Sequence, residues 1–176
     1  MENQNDRFEQ TILPHLDAAY NLARWLTGNE QDARDMVQES FLRALKFFGN
    51  FRGGDPRAWL LTIVRNTVYS WFKRRQSRDH LLDLAEQIEE FEDVSVNPAQ
   101  LLERSANIEL VRDAIAQLPP EFREAVVLRE MESLSYKEIA DITGVRLGTV
   151  MSRLARGRRE LQLILTRTRD VSGGHP

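Results

Sequence analysis

Arg146, Thr149, Ser152, Arg153, Arg156 and Arg159 recur at a spacing that gathers them on one side of a helix. Leu147, Val150, Leu154 and Leu161 fall on the other side at about 100° per residue. A guanidinium can grip a guanine edge or a phosphate with two parallel hydrogen bonds, and Ser or Thr hydroxyls reach either. Directly upstream, Ser135 and Glu138 stand at capping-box spacing, Ile139, Ala140 and Ile142 are apolar or small, and Gly144 permits a sharp turn. Helix, three-residue turn and arginine-bearing helix together predict a helix-turn-helix whose second helix enters a major groove. A solvated amphipathic face would carry the same arginines, but it would not need the turn chemistry in front of it.

A second cluster begins at Phe51-Arg52-Gly53-Gly54 and continues, after Asp55-Pro56, into a segment holding Trp59, Arg65, Asn66, Trp71, Phe72, Lys73, Arg74 and Arg75. Aromatic rings interleaved with positive charge suit single-stranded nucleic acid, since bases stack on rings while phosphates meet cations. Core packing explains Trp59 and Phe72 equally well.

The elements that must position these residues read as helices almost throughout, because no stretch alternates apolar and polar residues as a half-buried strand does. The chain is expected to be all-α. One helix is predicted through Phe8, Ile12, Leu16, Tyr20 and Leu26, ending at Thr27-Gly28-Asn29; a second starts near Asp32 and turns Ala33, Met36, Val37, Phe41, Ala44, Leu45 and Phe48 to one face. Asp55 as cap and Pro56 at the first helical position open a third. After Pro119-Pro120 and another helix, two short helices are predicted beyond Glu132.

Charge divides the chain. Lys73, Arg74, Arg75 and Arg78 make a basic end to the first lobe, Asp79, Asp83, Glu86, Glu89, Glu90, Glu92, Asp93 and Glu103 follow without a Lys or Arg until Arg104, and the C-terminal part turns basic again. The expected organisation is two small helical domains, 1–78 and 106–168, joined by a flexible acidic linker at 79–105 and followed by a frayed tail at 169–176. The formal net charge of -3 therefore hides two basic lobes.

These segments, together with Asp32-Ala33-Arg34-Asp35-Met36-Val37-Gln38-Glu39-Ser40-Phe41-Leu42-Arg43-Ala44, resemble the extracytoplasmic-function family of bacterial RNA polymerase sigma factors over about residues 8–161. The resemblance implies an alternative sigma factor that binds RNA polymerase core, directs promoter-specific initiation and is controlled by an anti-sigma factor. It implies that Asp35, Gln38, Glu39 and Arg43 dock on the polymerase; helical spacing independently puts these four on a polar face, as it would a merely solvated one. It further implies that Phe51, Arg52, Trp59, Arg65, Asn66, Lys73, Arg74 and Arg75 recognise and melt the minus-ten element of promoter DNA, with a flipped base near the loop. The helix-turn-helix would read the minus-thirty-five element. Met151 stands where many relatives carry Lys or Arg, so a base preference does not transfer directly. The acidity of the linker suits a nucleic-acid mimic in a basic channel or a plain solvated spacer.

Two other readings fit parts of the pattern. A one-component regulator would use the same helix-turn-helix as a symmetric dimer on paired half-sites. A sigma-like decoy would keep the fold and sequester an anti-sigma factor. An enzyme is not expected: with no cysteine, with His15, His80 and His175 scattered, and without a Lys-Ser or Lys-Thr after Gly53-Gly54, the sequence offers neither a metal-ligand cluster nor a phosphate-binding loop, and no cofactor is predicted. The Met1–Asp6 start lacks the character of a secretory leader, and no apolar run reaches the roughly 20 residues a membrane span needs, so a cytoplasmic protein without membrane insertion is expected.

Overall fold

A computed structural model describes residues 3–82 and 103–173. The acidic linker expected at 79–105 lies outside the described residues from 83 to 102, as does the end of the tail, 174–176. Everything described is helix or turn, with no strand among the described residues.

The single N-terminal helix predicted from periodicity is two. Pro14 has no N–H to donate and its ring crowds the carbonyl four residues back, so α1 (Gln4–Ile12) gives way to a 3-10 turn at Leu13–His15 before α2 (Leu16–Thr27) begins. The apolar stripe continues across this break, which is why periodicity alone runs past it. α3 (Glu30–Phe47) starts two residues before Asp32, because the Asn29 side chain accepts from the Asp32 N–H at 3.0 Å. At the start of α4 (Pro56–Leu82), the Asp55 carboxylate accepts from the Arg57 N–H at 2.9 Å. α2, α3 and α4 pack on one another around Leu22, Leu26, Met36, Leu60, Leu61 and Val64. Two polar residues sink into this core without cost in unmade bonds: the Ser40 and Thr67 hydroxyls donate to the Met36 and Ile63 carbonyls at 2.6 and 2.7 Å.

The C-terminal lobe holds α5 (Glu103–Ala116), α6 (Pro120–Val126), a π-helical run at Val127–Met131, α7 (Tyr136–Thr143) and α8 (Leu147–Ser172). The last helix is 26 residues long, whereas a short one was expected. Gly157 is a packing residue: a β-carbon there would sit 2.7 Å from Val126 Cγ2 and 3.2 Å from the Phe122 carbonyl oxygen. Its missing side chain lets α8 cross α6 at close range, and the helix then continues through Arg167 and Arg169, past the predicted lobe boundary at 168.

The two lobes share one continuous apolar core. Ile115, Val127, Leu128, Ile139 and Leu154 join the cluster that contains Leu22, Leu60 and Val64, and the lobes meet where α2 faces α5 and α6 and where α4 faces α7.

Candidate nucleic-acid interface

The helix-turn-helix forms as its local chemistry dictates. Ser135 caps α7, its hydroxyl oxygen accepting from the Glu138 N–H at 3.1 Å while the hydroxyl donates to the Glu138 carboxylate at 3.0 Å. Gly144 ends the helix at φ 71°, a left-handed conformation that a side chain would strain. On α8, Val150, Leu154 and Gly157 are buried, while Arg146, Ser152, Arg156 and Arg159 are exposed and Thr149 and Arg153 are half-buried. Leu147 departs from the expected inward stripe: it lies in the first turn, ahead of the packed part of the helix, and stays 50% exposed. Arg158, which the stripe leaves out, pairs with Glu130 at 2.6 Å. Arg146, Arg153, Arg156 and Arg159 form no ion pair among the described residues, so their guanidinium groups stand ready for an anionic partner.

The loop before α4 is organised by aromatic packing. Phe51 stacks on Phe48 with centroids 5.9 Å apart and planes at 14°, and meets Trp59 at 5.3 Å; Trp59 also meets Phe48 edge-on at 6.3 Å. Phe51 and Trp59 are thus half-buried in a three-ring knot, and Arg52 projects from its outer edge into solvent.

Along α4 the sequence-predicted residues split into two groups. Lys73, Arg74 and Arg75 are exposed, with Arg74 3.6 Å from Glu39, Arg75 3.6 Å from Asp32, and the Arg75 guanidinium 5.1 Å above the Trp71 ring. Asp32, Trp71, Arg74, Arg75 and Arg78 line an open groove of about 460 Å³. Nearer the start of the helix, Arg65 lies over the Tyr69 ring at 4.2 Å and donates to the Asn66 side-chain oxygen at 3.2 Å. Asn66 is exposed, but Arg65 is turned toward the other lobe, where its guanidinium donates through Nε and Nη2 to the Glu124 carboxylate. The Tyr69 hydroxyl donates to the same carboxylate at 3.1 Å. Burial alone would lower the Arg65 pKa, yet the hydrogen bond and charge of Glu124 outweigh it and hold the cation more firmly than usual. Burial, reinforced by the Glu124 charge, pushes the Tyr69 phenol far above its ordinary range.

Two more cross-lobe contacts lie nearby. Arg57 donates through Nη2 to the Glu132 carbonyl oxygen at 2.6 Å and to its carboxylate at 2.9 Å; burial nevertheless raises the Glu132 pKa, the arginine offsetting only part of the effect. Arg123 donates to the Ile115, Ala116 and Leu118 carbonyls at the end of α5 and, across the lobes, to the Leu26 carbonyl at 3.3 Å. Sequence reading passes over Arg57, Tyr69, Arg123, Glu124 and Glu132. The acid at 124 sits directly before the apolar run Ala125-Val126-Val127-Leu128, the one local sign that it is buried.

On α3, Asp35 and Gln38 are exposed and Glu39 pairs with Arg43 at 2.6 Å. Leu42, 64% exposed, lies beside this polar set, and Leu45 and Phe47 are also exposed; Leu45 had been expected to face inward.

Known proteins share both lobes. Residues 11–78 match the family described as Sigma-70 region 2, and residues 108–161 match Sigma-70, region 4. The chain is 38% identical over 155 residues to the ECF RNA polymerase sigma factor SigE of Mycolicibacterium smegmatis, covering 88% of this chain and 60% of that longer one. It is 32% identical over 145 residues to RNA polymerase sigma factor YlaC of Bacillus subtilis, covering 82% and 83% of the two chains. Among solved structures it is similar to the sigma factor RpoE of Bartonella quintana, seen in complex with the anti-sigma factor NepR, with a TM-score of 0.76, 31% identity, and coverage of 91% and 97%. Two lobes matching regions 2 and 4 in order, with 38% identity to an ECF sigma factor and 32% identity to a sigma factor covered over 83% of its length, place this chain in the extracytoplasmic-function family of RNA polymerase sigma factors.

Proposed function

We propose that this chain is an alternative sigma factor that binds RNA polymerase core and directs it to specific promoters, under the control of an anti-sigma factor. The observation that carries this reading is the pairing of a helix-turn-helix bearing four arginines without an acidic partner among the described residues with a second basic, aromatic-edged helix in the other lobe. One chain thereby offers two separate DNA-facing elements, as recognition of a two-part promoter requires. Residues 1–78 bind core and the minus-ten element, and 106–168 read the minus-thirty-five element. Asp35, Gln38, Glu39 and Arg43 dock on the polymerase, with exposed Leu42 adding an apolar contact among them. Arg52, Arg65, Asn66, Lys73, Arg74 and Arg75 meet minus-ten DNA, while Phe51 and Trp59 shape the loop from within. Arg146, Thr149, Ser152, Arg153, Arg156 and Arg159 contact the upstream element, phosphates giving affinity and base edges giving sequence choice.

Initiation chemistry belongs to the polymerase, so the chain acts by binding and not as an enzyme, and its place of work is the cytoplasm. No helix among the described residues is long and apolar enough to cross a membrane. The test is in-vitro transcription with core polymerase on a pool of genomic promoter fragments, with and without the protein. Discrete protein-dependent transcripts are expected. Core binding with no promoter fired would favour a decoy, and failure to bind core would favour a one-component regulator.

A further inference from the structure

We propose that the first two turns of α8 select a thymine by its C5-methyl group, with Met151 as the contacting side chain and Gly148 as the notch that admits the base edge. This rests on the assignment of α8 to the minus-thirty-five element and names one base within it. The arginines of α8 account for phosphates and guanine edges, but not for the apolar residues set among them. Met151 and Leu147, one turn apart, are 52% and 50% exposed, and exposed Ala155 extends the row by another turn. A single exposed leucine would be ordinary. Three apolar residues at i, i+4 and i+8, beside exposed Gly148, Ser152 and Arg156, form a ridge that nothing among the described residues covers.

The two glycines of this helix differ in kind. Gly157 is required by its neighbours, whereas a β-carbon on Gly148 would meet nothing within 4 Å, and its φ is not left-handed. Glycine is the poorest helix former after proline, and no neighbour among the described residues calls for one here. Close approach from outside does. Gly148 and Met151 are the second and fifth residues of α8, in the part of a recognition helix that reaches base edges. Of the four bases only thymine presents a methyl in the major groove. A thioether is unbranched and polarizable and moulds itself to such a group. The surrounding charge favours DNA over a protein partner: from Arg146 to Arg159 there is no Asp or Glu, and exposed Arg146, Arg156 and Arg159 frame the ridge as phosphates frame a base edge. Where many relatives carry Lys or Arg, a cation would favour guanine; methionine exchanges that preference for the methyl.

The test uses core polymerase carrying the full chain. Active promoters are selected from a pool randomised across the minus-thirty-five element, and each thymine of the selected element is then replaced singly by deoxyuridine, which removes only the methyl. At one thymine, uracil should weaken binding about fourfold, with the others within about twofold. Met151→Ala should bring that thymine-to-uracil ratio to about one, Met151→Leu should keep it, and Met151→Arg should shift selection at the position toward guanine. Gly148→Ala should weaken promoter binding about tenfold while its urea midpoint holds or rises, because alanine is the better helix former; a lowered midpoint would make Gly148 structural and strike the notch. The uracil series in the parent protein stands whatever a variant does to folding. An element without thymine, uniform tolerance of uracil, or a ratio that survives Met151→Ala overturns the methyl contact and leaves the assignment of α8 intact. Selected promoters with no sequence choice across the element would instead overturn that assignment, and the contact with it. Weaker binding of Met151→Ala to core polymerase without DNA would give the ridge to a protein partner and overturn the proposal.

Discussion

Arg153 and Arg156 on α8 and Arg65 on α4 are the same side chain on long helices, the α8 pair reached from helical spacing and Arg65 from the family resemblance. They end in different company. Arg153 and Arg156 have no acidic partner among the described residues, while Arg65 is engaged by a buried carboxylate 59 positions away. The contrast teaches that a basic helical face is fixed by its own sequence, but its availability depends on what the rest of the chain lays over it. Across this molecule the arginine stripe of α8 is presented and the first half of α4 is covered.

The sharpest way to break the comparison is to remove the presented stripe. Arg153→Ala with Arg156→Ala should lower promoter-dependent transcription by about a hundredfold, at about 1–3 kcal/mol per lost base contact, while affinity for core polymerase measured by fluorescence anisotropy stays within about twofold. Equal loss of both would refute the division of labour between the lobes. Next comes the support of that stripe. Gly157→Ala puts a methyl against Val126 Cγ2 at 2.7 Å, and α8 should be displaced or destabilised by about 1–3 kcal/mol, read as a lower midpoint in urea with only a partial offset from the better helix propensity of alanine. Ser135→Ala removes the cap of α7 and should cost about 1 kcal/mol by the same measurement.

The smallest effect sharpens the covered side. Glu132→Gln should change stability at neutral pH by less than about 1 kcal/mol, because losing a buried ion pair also removes the cost of burying its charge. The sign of the pH dependence follows from burial. Since the folded pKa of Glu132 is raised above its ordinary 4.5, its contribution is fully present below that value and is lost as pH rises through the folded one. Wild type should therefore gain on Glu132→Gln when thermal unfolding is compared at pH 4 and pH 7; no difference would mean that Arg57 cancels the effect of burial.

Features encoded within a few residues were legible in advance. Asp55-Pro56, Ser135 with Glu138, and Gly144 announce helix ends because cap hydrogen bonds and positive φ are local matters. The outward stripe of α8 was legible for the same reason, since period and packing agree from Val150 onward. Leu147 and Leu45 were misplaced because a helical wheel does not say how far along a helix its neighbours extend. The length of α8 was missed because the apolar stripe read from Leu147 stops at Leu161, while the helix continues to Ser172. Glu124 and Tyr69 could not be found from spacing at all, as their roles exist only through a contact between segments 55 residues apart.

Arg123 adds a matter of timing. Its guanidinium reaches the Leu26 carbonyl at the end of α2, and 97 positions separate donor from acceptor. At a synthesis rate of about 5–20 residues per second, roughly 5–20 s pass on the ribosome between the two. During that interval the N-terminal helices must hold together without the cation that later ties off their carbonyl end, and with Arg57 and Arg65 uncovered beside ribosomal RNA.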